Sequence, residues 1–372
     1  MCPRENALGL VVMAGGADVE IPDVKIPNVV VVGYGYAGRC FHTYLVGLTP
    51  GLRLYGVMSG RAQARQQIQM RLGVKPFATF EEVLADPAVD LVVLATPNDL
   101  HAPQAMAAMA AGKHVVTDKP MCLNVDEADA MLAASRAHGR LLSVFHNRRW
   151  DGDVLTIRKI LADGLIGQLV LVETDWLQPR PPRGWSSERR RGGGKLMDLG
   201  VHLIDQVMHL VPARAVHVYA RLYGGIWPTD IEDHVNCIIA LDNGVDVHVT
   251  VSSVAREHTR RWRLLGTQGR LCKEGFDPQE RAMVAGDIDA ARESATQYVR
   301  LYRHGGAQTS ERIIETVPGR WRTYYENIAD VLSNRDTLAV TPESSRAVIA
   351  VIDAARRSAE LQQAVPVAVP LP

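Results

Sequence analysis

The sequence predicts two joined architectures: a doubly wound α/β unit with a mostly parallel sheet, then an α+β unit with an open, mainly antiparallel sheet. Three observations carry this expectation. From Asn28 to Phe145, short all-apolar runs alternate with segments of helical period, the order that yields a parallel sheet covered on both faces. The first of these runs leads directly into Gly33-Tyr34-Gly35-Tyr36-Ala37-Gly38. After Trp150 the pattern changes to period two, punctuated by Asp242-Asn243-Gly244 and Gln268-Gly269, as in an antiparallel meander half-buried on one face.

In chain order, residues 1–27 read as an extension ahead of the fold. Their apolar run, Leu8 to Ala14, lacks the basic flank of a signal peptide because Glu5 offsets Arg4. Val29 to Val32 is the first strand, followed by a helix from about Ala37 to Val46. Leu52 to Met58 is the second strand, before a Gln/Arg-rich helix from Arg61 to Leu72. Leu91 to Ala95 is a buried strand, and the helix His101 to Ala111 stops at Gly112, a suitable C-cap. His114 to Thr117 is a strand, Val125 to Ala137 a helix, and Leu141 to Phe145 the last strand of the series.

The second unit opens with a helix, Val154 to Leu161, and a strand, Leu169 to Thr174. A Pro/Arg/Gly-rich loop runs from Gln178 to Gly194, then a helix from about Leu196 to Leu210. Val216 to Leu222, Val235 to Leu241, Val245 to Val251 and Trp262 to Leu265 are the strands of the meander. Residues 275–310 read as irregular, and helices from Trp321 to Leu332 and Glu343 to Leu361 close the chain. The expected division is an extension over 1–27, a dinucleotide-binding Rossmann unit over 28–146, an α+β substrate unit over 147–340, and a C-terminal helix and tail over 341–372 that packs back on the first unit.

Composition narrows the function. With 372 residues the chain has room for two domains, and 22% charged residues with 47% hydrophobic ones exclude a disordered chain. Lys and Arg total 41 and Asp and Glu total 41, so nucleic acid loses its electrostatic argument as a partner. No apolar stretch approaches the roughly 18 residues of a membrane span. Five scattered cysteines without a C-x-x-C pair argue against a zinc site or disulfide framework. The default location is therefore a reducing, cytoplasmic one, and no metal is expected.

Three groups of residues carry chemistry. In the Gly-rich turn, Gly33 permits the tight bend, Gly35 lets backbone approach a pyrophosphate, and Gly38 allows helix and strand to pack closely. A dinucleotide is the ligand this turn suits. Cofactor choice rests on the end of the second strand, Val57-Met58-Ser59-Gly60-Arg61, which lacks the carboxylate that would bond an NAD ribose. Ser59 and Arg61 suit a 2′-phosphate instead, so NADP is the expected cofactor and NAD the alternative. The second group is Asp118-Lys119-Pro120, at the end of a strand where ligands of such sheets bind. Lys119 is placed to hold a substrate hydroxyl, or else to form a surface salt bridge at a turn; the residues leave both open. Pro120 constrains the preceding backbone and is a suitable place for a cis bond.

The third group follows Gly192-Gly193-Gly194. Asp198 and His202 stand at i and i+4, about 6 Å apart at Cβ on one helix face. They suit general acid–base work near neutrality, and equally a structural helix-surface pair; the glycines favour approach to a ligand. Asp205 and His209 repeat the spacing one turn on, but the four residues need not converge on one ion, so a metal reading is weaker.

Together these residues resemble the Gfo/Idh/MocA oxidoreductase family over about Asn28 to Leu361. The supporting segments are the Gly-rich turn, Thr96-Pro97-Asn98 with His101, Ala111-Gly112-Lys113-His114-Val115, Asp118-Lys119-Pro120, and Asp198-x-x-x-His202 after the glycines. Phe145-His146-Asn147-Arg148-Arg149-Trp150-Asp151 and Thr323-Tyr324-Tyr325 are similar to the branch containing NADP-dependent scyllo-inositol dehydrogenases. The resemblance implies that Lys119, Asp198 and His202 are catalytic: His202 takes the hydroxyl proton, Asp198 orients it, and Lys119 polarises the reacting oxygen. It also implies cofactor contacts from Gly33, Gly35, Tyr36, Ala37, Gly38, Ser59, Gly60, Arg61, Thr96, Pro97, Asn98, His101, Asp118 and Lys119. Arg148 joins the catalytic group on the substrate side. Trp176 and Trp185 either stack on a sugar ring or pack in the ordinary way.

The implied activity is dehydrogenation or reduction at a secondary alcohol of a sugar or cyclitol, by a homodimer or homotetramer. Two alternatives use the same fold: cleavage of a glycoside by transient oxidation and elimination, and a dinucleotide-binding regulator without catalysis. Asp118 stands where the family's usual residue is Glu. The arginines between Arg180 and Arg191 do not fit a plain inositol pocket; they are read as decoration of a loop in preference to an anion site.

Overall fold

The computed structural model of the chain describes residues 25–254, 260–305 and 308–368. The expected N-terminal extension lies outside the described residues as far as residue 24, and so do the last four residues of the tail.

The first sheet is wound from β1 (Asn28–Val32), β2 (Arg53–Met58), β3 (Lys75–Phe77), β4 (Leu91–Leu94), β5 (His114–Thr117) and β6 (Leu142–Val144). Their connections include α1 (Thr43–Gly47), α2 (Ala62–Leu72), α3 (Phe80–Ala85), α4 (His101–Ala110) and α5 (Val125–His138). All pairings are parallel, in the spatial order β3-β2-β1-β4-β5-β6. The central strands β1 and β4 are continuous apolar runs, and Val29 to Val32 and Leu91 to Leu94 are fully buried, as a strand covered on both faces must be. The chain leaves the sheet in opposite directions from β1 and β4, which opens a crevice at their carboxyl ends.

The second unit contains α6 (Gly152–Ala162), β7 (Leu169–Leu177), α7 (Val201–Leu210), β8 (Ala215–Tyr223), β9 (His234–Leu241), β10 (Asp246–Ser252), β11 (Arg260–Gly266), β12 (Gly269–Glu274), α8 (Gln279–Val284), β13 (Val299–Gly305), β14 (Gln308–Ile314), α9 (Arg322–Leu332), α10 (Pro342–Leu361) and β15 (Val365–Pro366). Nine of these strands form one sheet in the order β14-β13-β12-β11-β7-β10-β9-β8-β15. Burial alternates along β9 and β10: Val235, Cys237, Ile239, Val247, Val249 and Val251 face the core, and their neighbours face outward.

The structure corrects the sequence reading in three places. The meander is not continuous, because β7 inserts between β10 and β11 and runs parallel to β10. Residues 275–310 are not irregular: they contain α8 and β13, which extends the sheet through β12. The expected helices from Ala37 and from Leu196 both begin with a wider π-helical turn, Gly38–His42 and Leu196–Gly200. The sequence reading also left out β3 and α3, although α3 starts with a complete capping box between Thr79 and Glu82.

Buried ion pairs join the units. Arg149, in the turn after β6, donates to both carboxylate oxygens of Asp205 on α7 at 2.7–3.1 Å and to the carbonyl of Ala339. Helix α10 lies against both sheets: Arg346 pairs with Asp129 of α5, and Ser358 accepts from the backbone of Ala220 in β8. Replacing Asp205 by Ala strands the buried Arg149 guanidinium, for an expected cost of about 3–5 kcal/mol. Replacing Glu343, whose pairing with Arg136 is exposed, costs about 0–1 kcal/mol. Urea-unfolding midpoints of the two variants test this contrast.

Candidate active site

The carboxyl ends of β1, β4 and β5 open into a cleft of about 1560 Å³, closed on its far side by Trp176, the Asp198 turn, His202 and Phe276. Single-ligand pockets usually span about 300–1,000 Å³, so this cleft has room for a dinucleotide and a substrate together. At the turn after β1, Gly33 adopts φ +106°, and a Cβ there would stand 2.3 Å from the carbonyl oxygen of Ala95. A Cβ on Gly38 would stand 2.0 Å from the carbonyl of Gly33. Gly35 has nothing within 4 Å of its Cβ position. The first two glycines therefore permit close packing, while the third leaves bare backbone at the cleft. That cradle, at the start of a helical segment, fits a pyrophosphate.

At the end of β2, Gly60 is equally bare and no carboxylate stands between Val57 and Arg61. Arg61 reaches back to the carbonyl of Tyr34 at 3.3 Å. Arg65, which the sequence reading missed, bonds the carbonyl of Ser59 at 2.8 Å. Its signal was its place one turn after Arg61 in the same helix. Two guanidiniums thus flank Ser59, a donor set suited to a phosphate.

Lys119 extends from the end of β5 across the cleft. Its Nζ donates to the backbone carbonyl of Asp198 at 2.5 Å and to the Asp198 carboxylate at 3.1 Å. Burial opposes ionisation of Asp198, but the charges of Lys119 and Lys195 prevail and hold its carboxyl below the usual range. The π-helical turn changes the expected relation between Asp198 and His202: no hydrogen bond joins them, and the aspartate is committed to Lys119. His202 lies over Trp176, with ring centroids 6.1 Å apart and an interplanar angle of 23°, and its Nδ1 is buried without a partner. Burial, reinforced by the positive charges of Lys119 and Arg148, pushes the His202 pKa well down.

The other predicted residues divide between the cleft wall and its supports. Asp118 lines the cleft beside Lys119. Its carboxylate accepts from the Lys119 amide at 2.8 Å and faces His42 at 3.6 Å, and His42 in turn meets the Tyr325 hydroxyl at 2.7 Å. Burial raises the Asp118 pKa, but His42 outweighs it and the net shift is downward. His101 is a correction: it is fully buried, with its ring nitrogens facing the carbonyls of Pro120 and Thr96 at 2.8 and 3.0 Å. It braces the Lys119 segment, whose Lys119-Pro120 bond is cis, and does not reach the cleft. Asn98 lines the cleft and also holds the carbonyl of Gly192 at 2.8 Å. Ala37, Thr96, Pro97 and Trp185 line it as well.

Arg148 stacks over the rings of Trp176 and Trp321 and pairs with Glu280 at 2.6 Å. Glu280 accepts in turn from the Tyr36 hydroxyl at 3.1 Å. Burial and Glu280 together push the Tyr36 pKa up to about 12. Among the described residues, no group of three or more His, Cys, Asp or Glu is placed to hold a metal, and no helix is long and apolar enough to cross a membrane.

Comparison with known proteins agrees with the two-unit fold. Residues 27–146 match the family model described as oxidoreductase family, NAD-binding Rossmann fold, and residues 154–272 match the GFO/IDH/MocA C-terminal domain. The uncharacterized oxidoreductase YdgJ of Escherichia coli (strain K12) is 34% identical over 337 residues, covering 88% of this chain and 95% of that protein. The scyllo-inositol 2-dehydrogenase (NADP(+)) IolW of Bacillus subtilis (strain 168) is 31% identical, covering 89% and 93% respectively. The solved structure of yvaA from Bacillus subtilis superposes with a TM-score of 0.87 at 28% identity, over 93% of this chain and all of that one.

The burial of His202 has a measurable consequence. A histidine whose folded pKa is depressed takes up its proton later than the unfolded chain does, so its neutral form persists below the ordinary value of about 6.5. Ring nitrogen shifts should show His202 uncharged at pH 6, together with His146, whose pKa burial lowers to about 4. A titration of His202 centred near 6.5 would contradict the dry environment described.

Proposed function

The chain belongs to the Gfo/Idh/MocA family of NAD(P)-dependent oxidoreductases, and from that membership we propose that it acts on a secondary alcohol of a sugar or cyclitol, with NADP as preferred cofactor. The observation that carries the reading is the meeting of Lys119, Asp198 and an uncharged His202 on one wall of the cleft, opposite the glycine cradle. When bound, the nicotinamide supplies the hydride donor or acceptor for the substrate carbon. His202, neutral and facing the cleft, takes the hydroxyl proton. Lys119 holds the reacting oxygen and stabilises negative charge as it develops there. Asp198 keeps Lys119 aimed, and its second carboxylate oxygen accepts a neighbouring substrate hydroxyl. Trp185 provides flat apolar surface for a sugar ring, whereas Trp176 is buried beneath His202 and Arg148 and packs in the ordinary way.

Preference for NADP is supported by Arg61 and Arg65 beside Ser59, by the missing carboxylate, and by the cofactor in the name of the Bacillus relative. The named substrate of that relative supports a cyclitol. For assembly, the open face of the nine-stranded sheet is the proposed contact between copies of the chain. Tyr219 and Tyr223 are exposed there, beside an apolar hollow lined by Leu177, Ile226 and Val254; light scattering should give the mass of a dimer or tetramer.

One observation favours the oxidation–elimination reading as a second choice. The segment after β12 covers the cofactor end of the cleft: Tyr36 bonds Glu280, and the Tyr44 hydroxyl bonds the carbonyl of Gly286 at 3.2 Å. A covered cofactor suits an enzyme that oxidises and re-reduces in one turnover, and NADP(H) retained through purification would support it.

A panel of sugars and polyols followed at the NADPH absorbance band, with product analysis, tests the main reading. Lys119→Met and His202→Gln should lower kcat by about 100-fold or more while NADPH binding persists. Full turnover in either variant would remove the catalytic assignment. Arg61→Ala should narrow the NADP-over-NAD affinity ratio by about tenfold, the worth of one charged hydrogen bond. A preference for NAD in the unaltered protein would reverse the cofactor assignment.

A further inference from the structure

The connection between β7 and the Asp198 turn holds five arginines and one lysine, and the structure separates them into two sets. Arg189 donates to the carbonyl of Asp230 at 2.8 Å, Arg190 to Glu188 at 2.6 Å, and Arg191 to Asp99 at 3.4 Å. These three hold the loop in place. Arg180 and Arg183 line the cleft, and among the described residues their guanidiniums have no hydrogen-bond or ion-pair partner. Lys195 lies deeper in the same wall, only 6% exposed, and its Nζ has one long hydrogen bond, to the carbonyl of Arg180 at 3.4 Å.

The remaining charges on the substrate side are matched. Lys119 is paired with Asp198, and Arg148 with Glu280 and Asp151. Glu232 and Asp233 are near enough to Lys195 to favour its charged form, but their carboxylates are engaged by backbone amides: Glu232 by Leu196, Asp233 by Ile226 and Trp227. Neither forms an ion pair with Lys195. Neither lines the cleft, so the charges without an ion-pair partner that this loop presents to it, those of Arg180, Arg183 and Lys195, are all positive. Burial lowers the Lys195 pKa, and Arg180 adds to that effect while Asp198 works against it. An ammonium so buried, with no carboxylate in ion-pair contact, gains from a further negative partner. Arg180 also stands near enough to Tyr36 and Asp198 to favour their ionised forms, so it overlooks both the cofactor turn and the catalytic aspartate.

We infer that the substrate carries an anionic group, a carboxylate or a phosphate, held by Lys195, Arg180 and Arg183 while its reacting hydroxyl lies at Lys119 and His202. The substrate class is thus an acidic sugar, such as an aldonate, uronate or sugar phosphate. This assignment rests on the dehydrogenase reading and deepens it.

The test is a titration of the NADPH-loaded protein with matched pairs, galacturonate against galactose and glucose 6-phosphate against glucose, read by the fluorescence of bound NADPH. The acid in at least one pair should bind about tenfold or more tightly than its neutral partner, the worth of one or two charge-assisted hydrogen bonds. Preference confined to galacturonate identifies a sugar acid, and preference confined to the phosphate identifies a sugar phosphate. Lys195→Met should abolish the gap. Arg183→Gln, at an exposed position that does not endanger folding, should reduce it, with NADPH binding as the control for an intact fold. Acids that bind no better than their neutral partners, a gap that survives both substitutions, or no binding by any of the four would overturn the inference. Failure here, with neutral polyols still oxidised in a Lys119- and His202-dependent way, would leave the dehydrogenase reading standing. Tight acid binding without turnover by any compound would do the reverse.

Discussion

The arrangement of the site depends on one buried interaction, the two-pronged pairing of Arg149 with Asp205. Arg149 belongs to the turn that leaves the last strand of the parallel sheet. Asp205 stands three residues after His202 on the helix that enters the second sheet's core. The pair therefore fixes the distance between the end of one sheet and His202, carried by the other unit. A bidentate guanidinium–carboxylate contact resists sliding and rotation more than a point charge would. Both partners are nearly inaccessible to water, so the contact is tolerated only where each group is fully satisfied. Asp205 faces His146 as well, and Arg149 also meets Ser344 at the start of the last long helix.

Much of this was legible in the sequence, for identifiable reasons. The buried strands β1 and β4 announce themselves because a strand covered on both faces must be apolar throughout. The glycine turn is legible because its demands, a left-handed φ at Gly33 and no room for a side chain at Gly38, admit almost one residue type. Lys119, Asp198 and His202 were singled out from strand ends, spacing and neighbouring glycines, and they do line one cleft. What sequence spacing missed is set at longer range. The insertion of β7 beside β10 pairs segments about seventy-five positions apart, and no local period records it. The π-helical turn before α7 rotates Asp198 toward Lys119, so the i, i+4 spacing that suggested a direct Asp198–His202 contact was sound arithmetic on the wrong helix. His101 was drawn to the cofactor by its motif, yet both ring nitrogens are occupied by backbone carbonyls.

The same contrast applies to charge. A chain with equal numbers of acids and bases has no long-range field to speak of, and the zero total was a fair reason to set aside nucleic acid. Inside the cleft the balance is local. Lys119, Arg148, Arg190 and Arg191 each meet a carboxylate, while Arg180, Arg183 and Lys195 do not. Counting charges in the loop could not separate these sets, because the division depends on which carboxylates the fold brings near: Asp99 comes from a different unit, about ninety residues upstream of Arg191.

The two ends of the cleft are also physically linked. Tyr36, in the glycine turn that faces the cofactor space, bonds Glu280, and Glu280 bonds Arg148 on the substrate wall. Arg148 is sandwiched by Trp176 and Trp321, and Trp176 carries the His202 ring on its face. Tyr36, Glu280, Arg148 and Trp176 thus form an unbroken line of contacts from the glycine turn to the indole on which His202 rests. Tyr36 and Glu280 are partly exposed at the cleft while Arg148, Trp176 and His202 are buried, so the line grows more tightly packed toward His202. This line of contacts ties the glycine turn at one end of the cleft to the His202 wall at the other, through side chains of both units.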